Sequence, residues 1–137
     1  MPVIIVTTNS VCADKKSFVQ AVGAAAATCL RVIPGHVHVH LVEGQCFGFG
    51  GDIDTAGAYV LVKSASLNIN PDARKALVVD LAPMLQSALG ASPERTTTIF
   101  EEVPVEQIAV GTAIMVYRSS ADVKRVLDTL SENATKK

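Results

Sequence analysis

Apolar and polar positions divide the chain into alternating short and long periods. Val3 to Thr8 is a run of β-branched residues ending in Thr7-Thr8-Asn9, which predicts a strand. From Asp14 to Arg31 the period lengthens: Phe18, Val22, Ala25 and Cys29 recur at helical spacing within an alanine-rich stretch. Pro34-Gly35 ends that helix. His36 to Glu43 then alternates with period two, with His36, His38 and His40 on one face and Val37, Val39 and Leu41 on the other. Gly44 to Gly51 is a glycine-rich loop, and Ala56 to Leu67 predicts a second long strand. Asn70 as N-cap with Pro71 in the first turn starts a second helix, expected to run to Leu89, stop at Gly90 and kink at Pro83. Thr96 to Val103 predicts a threonine-rich strand, and residues 112–117 a further short one. Ser120 caps a last amphipathic helix carrying Val123, Val126, Leu127 and Leu130. The tail from Asn133 to Lys137 is expected to fray.

The order is therefore strand, helix, strand, then strand, helix, strand, then a C-terminal addition. The halves also match in detail. The first passes Pro34, closes a strand on Glu43 and reads Phe47-Gly48-Phe49-Gly50-Gly51; the second passes Pro93, closes a strand on Glu102 and reads Ile108-Ala109-Val110-Gly111-Thr112. This is an internal repeat of about sixty residues. Two right-handed β-α-β crossovers place both helices on one face of a four-stranded mixed sheet, an α+β fold. The other face is left bare, and a small domain usually buries such a face against copies of itself. Residues 1–137 form one domain, with a core over 1–118 and a helix and tail over 119–137.

Composition narrows the function. Of 137 residues, 49% are hydrophobic and none is tryptophan, so the core is sizeable and aliphatic. A net charge of -1 argues against nucleic acid or an anionic membrane as partner. The start lacks a basic leader and no segment approaches the length of a membrane span, so the expected location is the cytoplasm. Cys12, Cys29 and Cys46 are an odd, widely spaced set and read as reduced structural thiols rather than a disulfide framework.

The residue with the sharpest chemistry is Pro2. Removal of Met1 leaves a secondary amine at the head of the first strand. Apolar surroundings disfavour its charged form and lower its pKa toward neutrality, where a general base works best. The structural reading of the same residue is a rigid start to a strand. The three histidines suit zinc by spacing, with Glu43 as a further ligand, but a polar strand face is the stronger reading, so no metal is expected. The Gly44–Gly51 loop lacks the lysine and the serine or threonine of a phosphate-binding loop and reads as a tight turn. Glu101 and Glu102 fall on opposite strand faces and read as solvated.

Pro2 opening a strand, the doubled β-α-β unit and the Phe47-Gly48-Phe49-Gly50-Gly51 turn resemble the tautomerase superfamily, in particular the macrophage migration inhibitory factor group. Gly90-Ala91-Ser92-Pro93-Glu94-Arg95 followed by Ile99 to Pro104 is similar to the 4-oxalocrotonate tautomerase branch. The resemblance covers about residues 2 to 115. It implies a homotrimer whose sheets wrap into a barrel, with Pro2 as catalytic base at the floor of each site. It also implies no cofactor and a small 2-oxo acid, such as an aryl pyruvate, undergoing keto–enol tautomerisation. Ser64 matches the position whose main-chain N–H faces the substrate. Arg31, beside Val32 at the group's lysine position, is expected to anchor the substrate carboxylate, His36 falls at a pocket tyrosine, and Phe47 adds an apolar wall. Lys63, of opposite strand parity to Ser64, is expected to point to solvent or to the helices' edge. Ile99 stands where the group has asparagine and Thr97 near its tyrosine. The stretch Ala56-Gly57-Ala58-Tyr59 lacks a Cys-x-x-Cys, and Ser66 and Ile69 replace the paired arginines of dehalogenase relatives. Thiol redox and halide chemistry are therefore not expected. The alternative is a non-catalytic binding or signalling protein of the same fold.

Overall fold

Alternation along β1 (Val3–Thr8) decides the layering. Ile4, Val6 and Thr8 are fully buried, while Val3, Ile5 and Thr7 are half-buried on the opposite face. That is the signature of a strand covered on one side. The computed structural model describes residues 2–115, Asp128 and Glu132. Its four-stranded sheet has the order β2-β1-β3-β4, with β2 at His38–Val42, β3 at Ala58–Ser64 and β4 at Thr96–Glu102. β1 is parallel to β2 and antiparallel to β3, and β3 is parallel to β4. The predicted tandem β-α-β repeat and mixed sheet are thus present.

The first crossover is α1 (Lys15–Leu30). The Asp14 side chain accepts a hydrogen bond from the Ser17 N–H at 3.0 Å, satisfying one of the free donors of the first turn. Phe18, Val22, Ala26 and Leu30 are buried. Arg31 ends the helix in the left-handed region, and its N–H returns to the Ala27 carbonyl. The turn therefore precedes Pro34, which instead opens a short 3-10 turn over Pro34–His36. His36 accordingly sits in that turn, and the second strand starts two residues later than its alternation predicts.

The second crossover is α2 (Pro71–Leu89). Asn70 accepts from the Ala73 N–H at 2.9 Å, and Gly90, at φ 70, closes the helix by donating to Gln86. A glycine is needed there because other side chains strain at positive φ. The helix runs through Pro83 as one element. Leu77, Leu81, Leu85 and Leu89 form its buried stripe against Ile4, Val6, Val60 and Val62. The predicted strand over Ala56–Leu67 is shorter, because Ser66–Asn68 forms a 3-10 turn. That turn lets the buried Asn68 donate to the Leu30 carbonyl, tying the two crossovers together. The short strand expected over 112–117 is present as β6 (Ala113–Ile114), paired in a hairpin with β5 (Ala109–Val110); its last two positions, 116 and 117, lie outside the described residues. The expected helix carrying Val123, Val126, Leu127 and Leu130 lies outside the described residues; Asp128 and Glu132 are helical.

At the far end of the sheet, the glycine-rich turn is held by Arg95. Its Nε donates to the Ala56 carbonyl at 3.0 Å, and its Nη2 donates to the Asp52 and Thr55 carbonyls at 3.1 and 2.9 Å. The guanidinium also lies 5.4 Å over the Phe49 ring. A Cβ on Gly57 would stand 3.1 Å from Phe47 and 3.2 Å from the Arg95 carbonyl, so the close approach requires glycine. The Thr55 hydroxyl, the Thr55 and Asp54 N–H groups and the Arg95 charge hold Asp52 down at about 2, below its ordinary value. A depressed carboxylate stabilises the fold above its unfolded pKa, near 4, and loses that contribution as pH falls through its folded one. We expect the Thr55 and Asp54 amide resonances to move between about pH 3 and pH 1 with a midpoint near 2, while sheet amides stay fixed. A midpoint near 4 would contradict this account of the turn.

Candidate active site

Pro2 sits at the head of β1 and is fully buried. Its carbonyl accepts from the His38 N–H at 3.0 Å, so pairing with β2 continues one residue beyond the strand proper. On the other side, the Val3–Lys63 pair is the last of the β1–β3 ladder. The Ser64 carbonyl accepts from the Val103 N–H at 2.9 Å and carries pairing onward to the chain after β4. Three strand ends thus converge on Pro2.

Beside this convergence lies a cavity of about 380 Å³. Its walls include Val3, His38, Lys63, Val103, Ile108 and Val110. The volume is within the range that takes a small organic ligand. It opens on the sheet face away from the helices, the face of Val3 and Lys63. Pro2, fully buried and of the parity opposite to Val3, borders the cavity through that neighbour.

Lys63, expected to point to solvent or to the helices' edge, is about half exposed and lines the cavity, the one Lys or Arg doing so among the described residues. Its Nζ is 3.7 Å from the Glu101 carboxylate, its partner in the β3–β4 register, and both side chains are about half exposed. Glu101 is therefore paired. The missed signal is the link over Val103–Gly111, which folds onto the open face and turns a sheet surface into a cavity wall.

The other predicted site residues are dispersed. The Ser64 side chain is fully buried on the helix face, and its Oγ is the one buried side-chain polar atom among the described residues without a hydrogen-bond partner. Arg31 lines a separate cavity with Thr28, Asn68, Asn70 and Asp72, which shares no residue with the first. Val32 is buried. His36 is exposed in its turn; the histidine in the cavity wall is His38. Phe47 is placed at the other end of β1, where the Asn9 side chain donates to its carbonyl at 3.4 Å. That is roughly 23 Å of extended chain away from Pro2. Glu43 is engaged by Lys15 and by the Cys12 N–H. Among the described residues no three His, Cys, Asp or Glu side chains come together as a metal site. Burial, and then the thiol's hydrogen bond to Asp80 at 3.3 Å, push Cys29 up to about 11 and keep it a thiol. No described helix is long and apolar enough to cross a membrane.

No protein-family model matches the sequence, and no curated protein does. Solved structures do. Macrophage migration inhibitory factor from Oncomelania hupensis superposes with a TM-score of 0.80 at 24% identity, over 99% of this chain and 94% of that one. Pt0534, solved after inactivation by 2-oxo-3-pentynoate, gives 0.72 at 17% identity over 82% of this chain and 94% of that one. A fused 4-OT described as an asymmetric trimer gives 0.70 at 18% identity, with the same coverage. The chain has the tautomerase-superfamily fold. In this chain the convergence of three strand ends at Pro2 is built by backbone pairing alone. It therefore persists although Val32, Thr97 and Ile99 differ from the lysine, tyrosine and asparagine that the resemblance leads one to expect.

Proposed function

We propose that the chain is a keto–enol tautomerase for a small 2-oxo acid, with the nitrogen of Pro2 as general base. The observation carrying this reading is the fully buried Pro2 at the head of β1, adjoining an apolar-walled cavity that holds one cation. The reading requires Pro2 to be the first residue of the working protein, since an acylated proline nitrogen has no basic lone pair. A free amine walled by apolar groups is easier to deprotonate than one in water. In enolisation it takes a proton from the carbon next to the substrate ketone while the ketone oxygen gains one from water and becomes the enol hydroxyl; in ketonisation the Pro2 ammonium gives its proton to that carbon as the enol hydroxyl releases its own to water. The main-chain N–H near Ser64 is our donor for the developing enolate oxygen.

Lys63 anchors the substrate carboxylate in this reading. Its contact with Glu101 is half exposed, and such pairs contribute little, so the ammonium can turn to a bound carboxylate. Arg31 opens on a different cavity and stands second for this role; His38 in the cavity wall takes the place expected of His36, and Phe47 reaches a site only from another subunit. A homotrimer supplies that subunit: Ile5, Leu61 and Ile99 leave an apolar open face, and the fused 4-OT neighbour is a trimer. That Pt0534 is inactivated by 2-oxo-3-pentynoate, itself a 2-oxo acid, favours the same substrate class.

The test begins with the intact mass of the purified protein, to establish an N-terminal Pro2. Conversion of enol-phenylpyruvate is then followed by absorbance. Turnover lost on blocking the amine supports the reading, and no turnover by the processed protein refutes it. Lys63→Met is expected to raise KM for phenylpyruvate about tenfold, as one screened charge contact is lost. Its effect on the methyl ester should be under twofold. Equal effects on acid and ester would remove Lys63 from the anchoring role.

A further inference from the structure

We infer that the Ser64 hydroxyl is the hydrogen-bond partner of the freed Pro2 nitrogen, a positioning contact that holds the base and sets its titration. The inference rests on the proposed role of Pro2 but is read out separately from turnover.

Two observations meet here. The Ser64 Oγ is fully buried with no hydrogen-bond partner among the described residues. A buried, unpaired hydroxyl is costly, and its persistence calls for a physical reason. The β1–β3 ladder pairs Thr8 with Ala58, Val6 with Val60, Ile4 with Val62 and Val3 with Lys63. One further step of this antiparallel register sets Pro2 opposite Ser64. Both residues have the parity of the buried face, and both are fully buried. Directly opposed residues on one face have Cβ atoms about 4.5–5.5 Å apart, within reach of a short hydroxyl to the nitrogen of a neighbouring ring.

The orphan state of Ser64 then has a cause in the covalent chemistry of Pro2. While Met1 is attached, the proline nitrogen is a tertiary amide. It has no hydrogen to donate and no free lone pair to accept with. Removal of Met1 creates a group that does both: the ammonium donates to Oγ, and the neutral amine accepts from the hydroxyl. Serine serves both states because it is donor and acceptor at once. The hydroxyl also fixes the direction of the lone pair, which a bare apolar wall would not.

The sign follows from the two bonds. A hydrogen bond to the charged amine is stronger than one to the neutral amine. Ser64 therefore partly offsets the desolvation that lowers the pKa, and its removal should lower the pKa further. The experiment is an NMR titration of processed protein labelled with 13C,15N-proline, following the Pro2 Cα and Cδ resonances in wild type, Ser64→Ala and Ser64→Thr. We expect Ser64→Ala to lower the Pro2 midpoint by about 0.5–1 pH unit and Ser64→Thr to restore it. The acidic limb of kcat/KM should shift with it. A midpoint that stays put or rises in Ser64→Ala, or that falls equally in Ser64→Thr, overturns the inference. The titration needs no turnover. An inactive protein with a Ser64-dependent midpoint would refute the tautomerase reading alone, and an active one with an unmoved midpoint would refute this inference alone.

Discussion

Processed protein carrying an additional alanine between Met1 and Pro2 should lose about 10²–10⁴-fold in kcat/KM for phenylpyruvate, the usual contribution of a positioned base. The insertion keeps the pyrrolidine ring, turns its nitrogen into an amide and moves the free amine one residue upstream. Pro2→Gly should produce a loss of similar order by a different route. It retains an amine but removes the ring that fills the buried position at the head of β1. Together the two variants separate the nitrogen from the ring. Wild-type turnover by the alanine-extended protein would show that the proton is carried by another group.

The second large effect concerns stability. Leu77 is fully buried in the stripe that α2 presents to the sheet. Truncation to alanine removes several methyl groups from close-packed surroundings and leaves a cavity that the helix and sheet cannot fully close. Leu77→Ala should therefore cost about 2–5 kcal/mol by urea denaturation at fixed protein concentration. Val79 is two residues on along the same helix and 63% exposed. Val79→Ala should change stability by less than about 0.5 kcal/mol. Comparable losses for the two would mean that the exposed face of α2 is covered in solution.

Local chemistry made most of the architecture legible. The N-caps at Asp14 and Asn70 and the stop at Gly90 are one-residue signals whose cause is a hydrogen bond or a backbone angle within a single turn. The β-branched run of β1 identifies a strand from sequence, and burial alternates along β1 and β3 because one face meets the helices. Errors arose where short-range pattern competes with longer-range demands. Ala65 and Ile69 continue an apolar rhythm past Ser64, yet the chain turns there so that Asn68 reaches the Leu30 carbonyl. His36 alternates with Val37 like a strand residue, but Pro34 favours a tight turn and draws it out of β2.

Of the proposed site, the sequence pointed to Pro2 at the head of the first strand but not to the cavity beside it. Parity correctly separates Lys63 from Ser64 but does not say which face holds the cavity. That depends on where Val103–Gly111 crosses the open face, through contacts far apart in sequence. Arg31 and Phe47 are placed by spacing alone, and spacing does not report that one borders another cavity and the other the far end of β1. Ser64 carried a signal of another kind, a buried polar atom left unpaired, visible only once the packing is known.

The most direct measurement is the titration midpoint of the Pro2 amine in folded, processed wild-type protein. A desolvated base fitted to its task should lose its proton near neutrality, at about pH 6–7.5, below the range of an ordinary exposed amine terminus. A midpoint above about 9, or an amine that titrates as it does in the unfolded chain, would contradict the account.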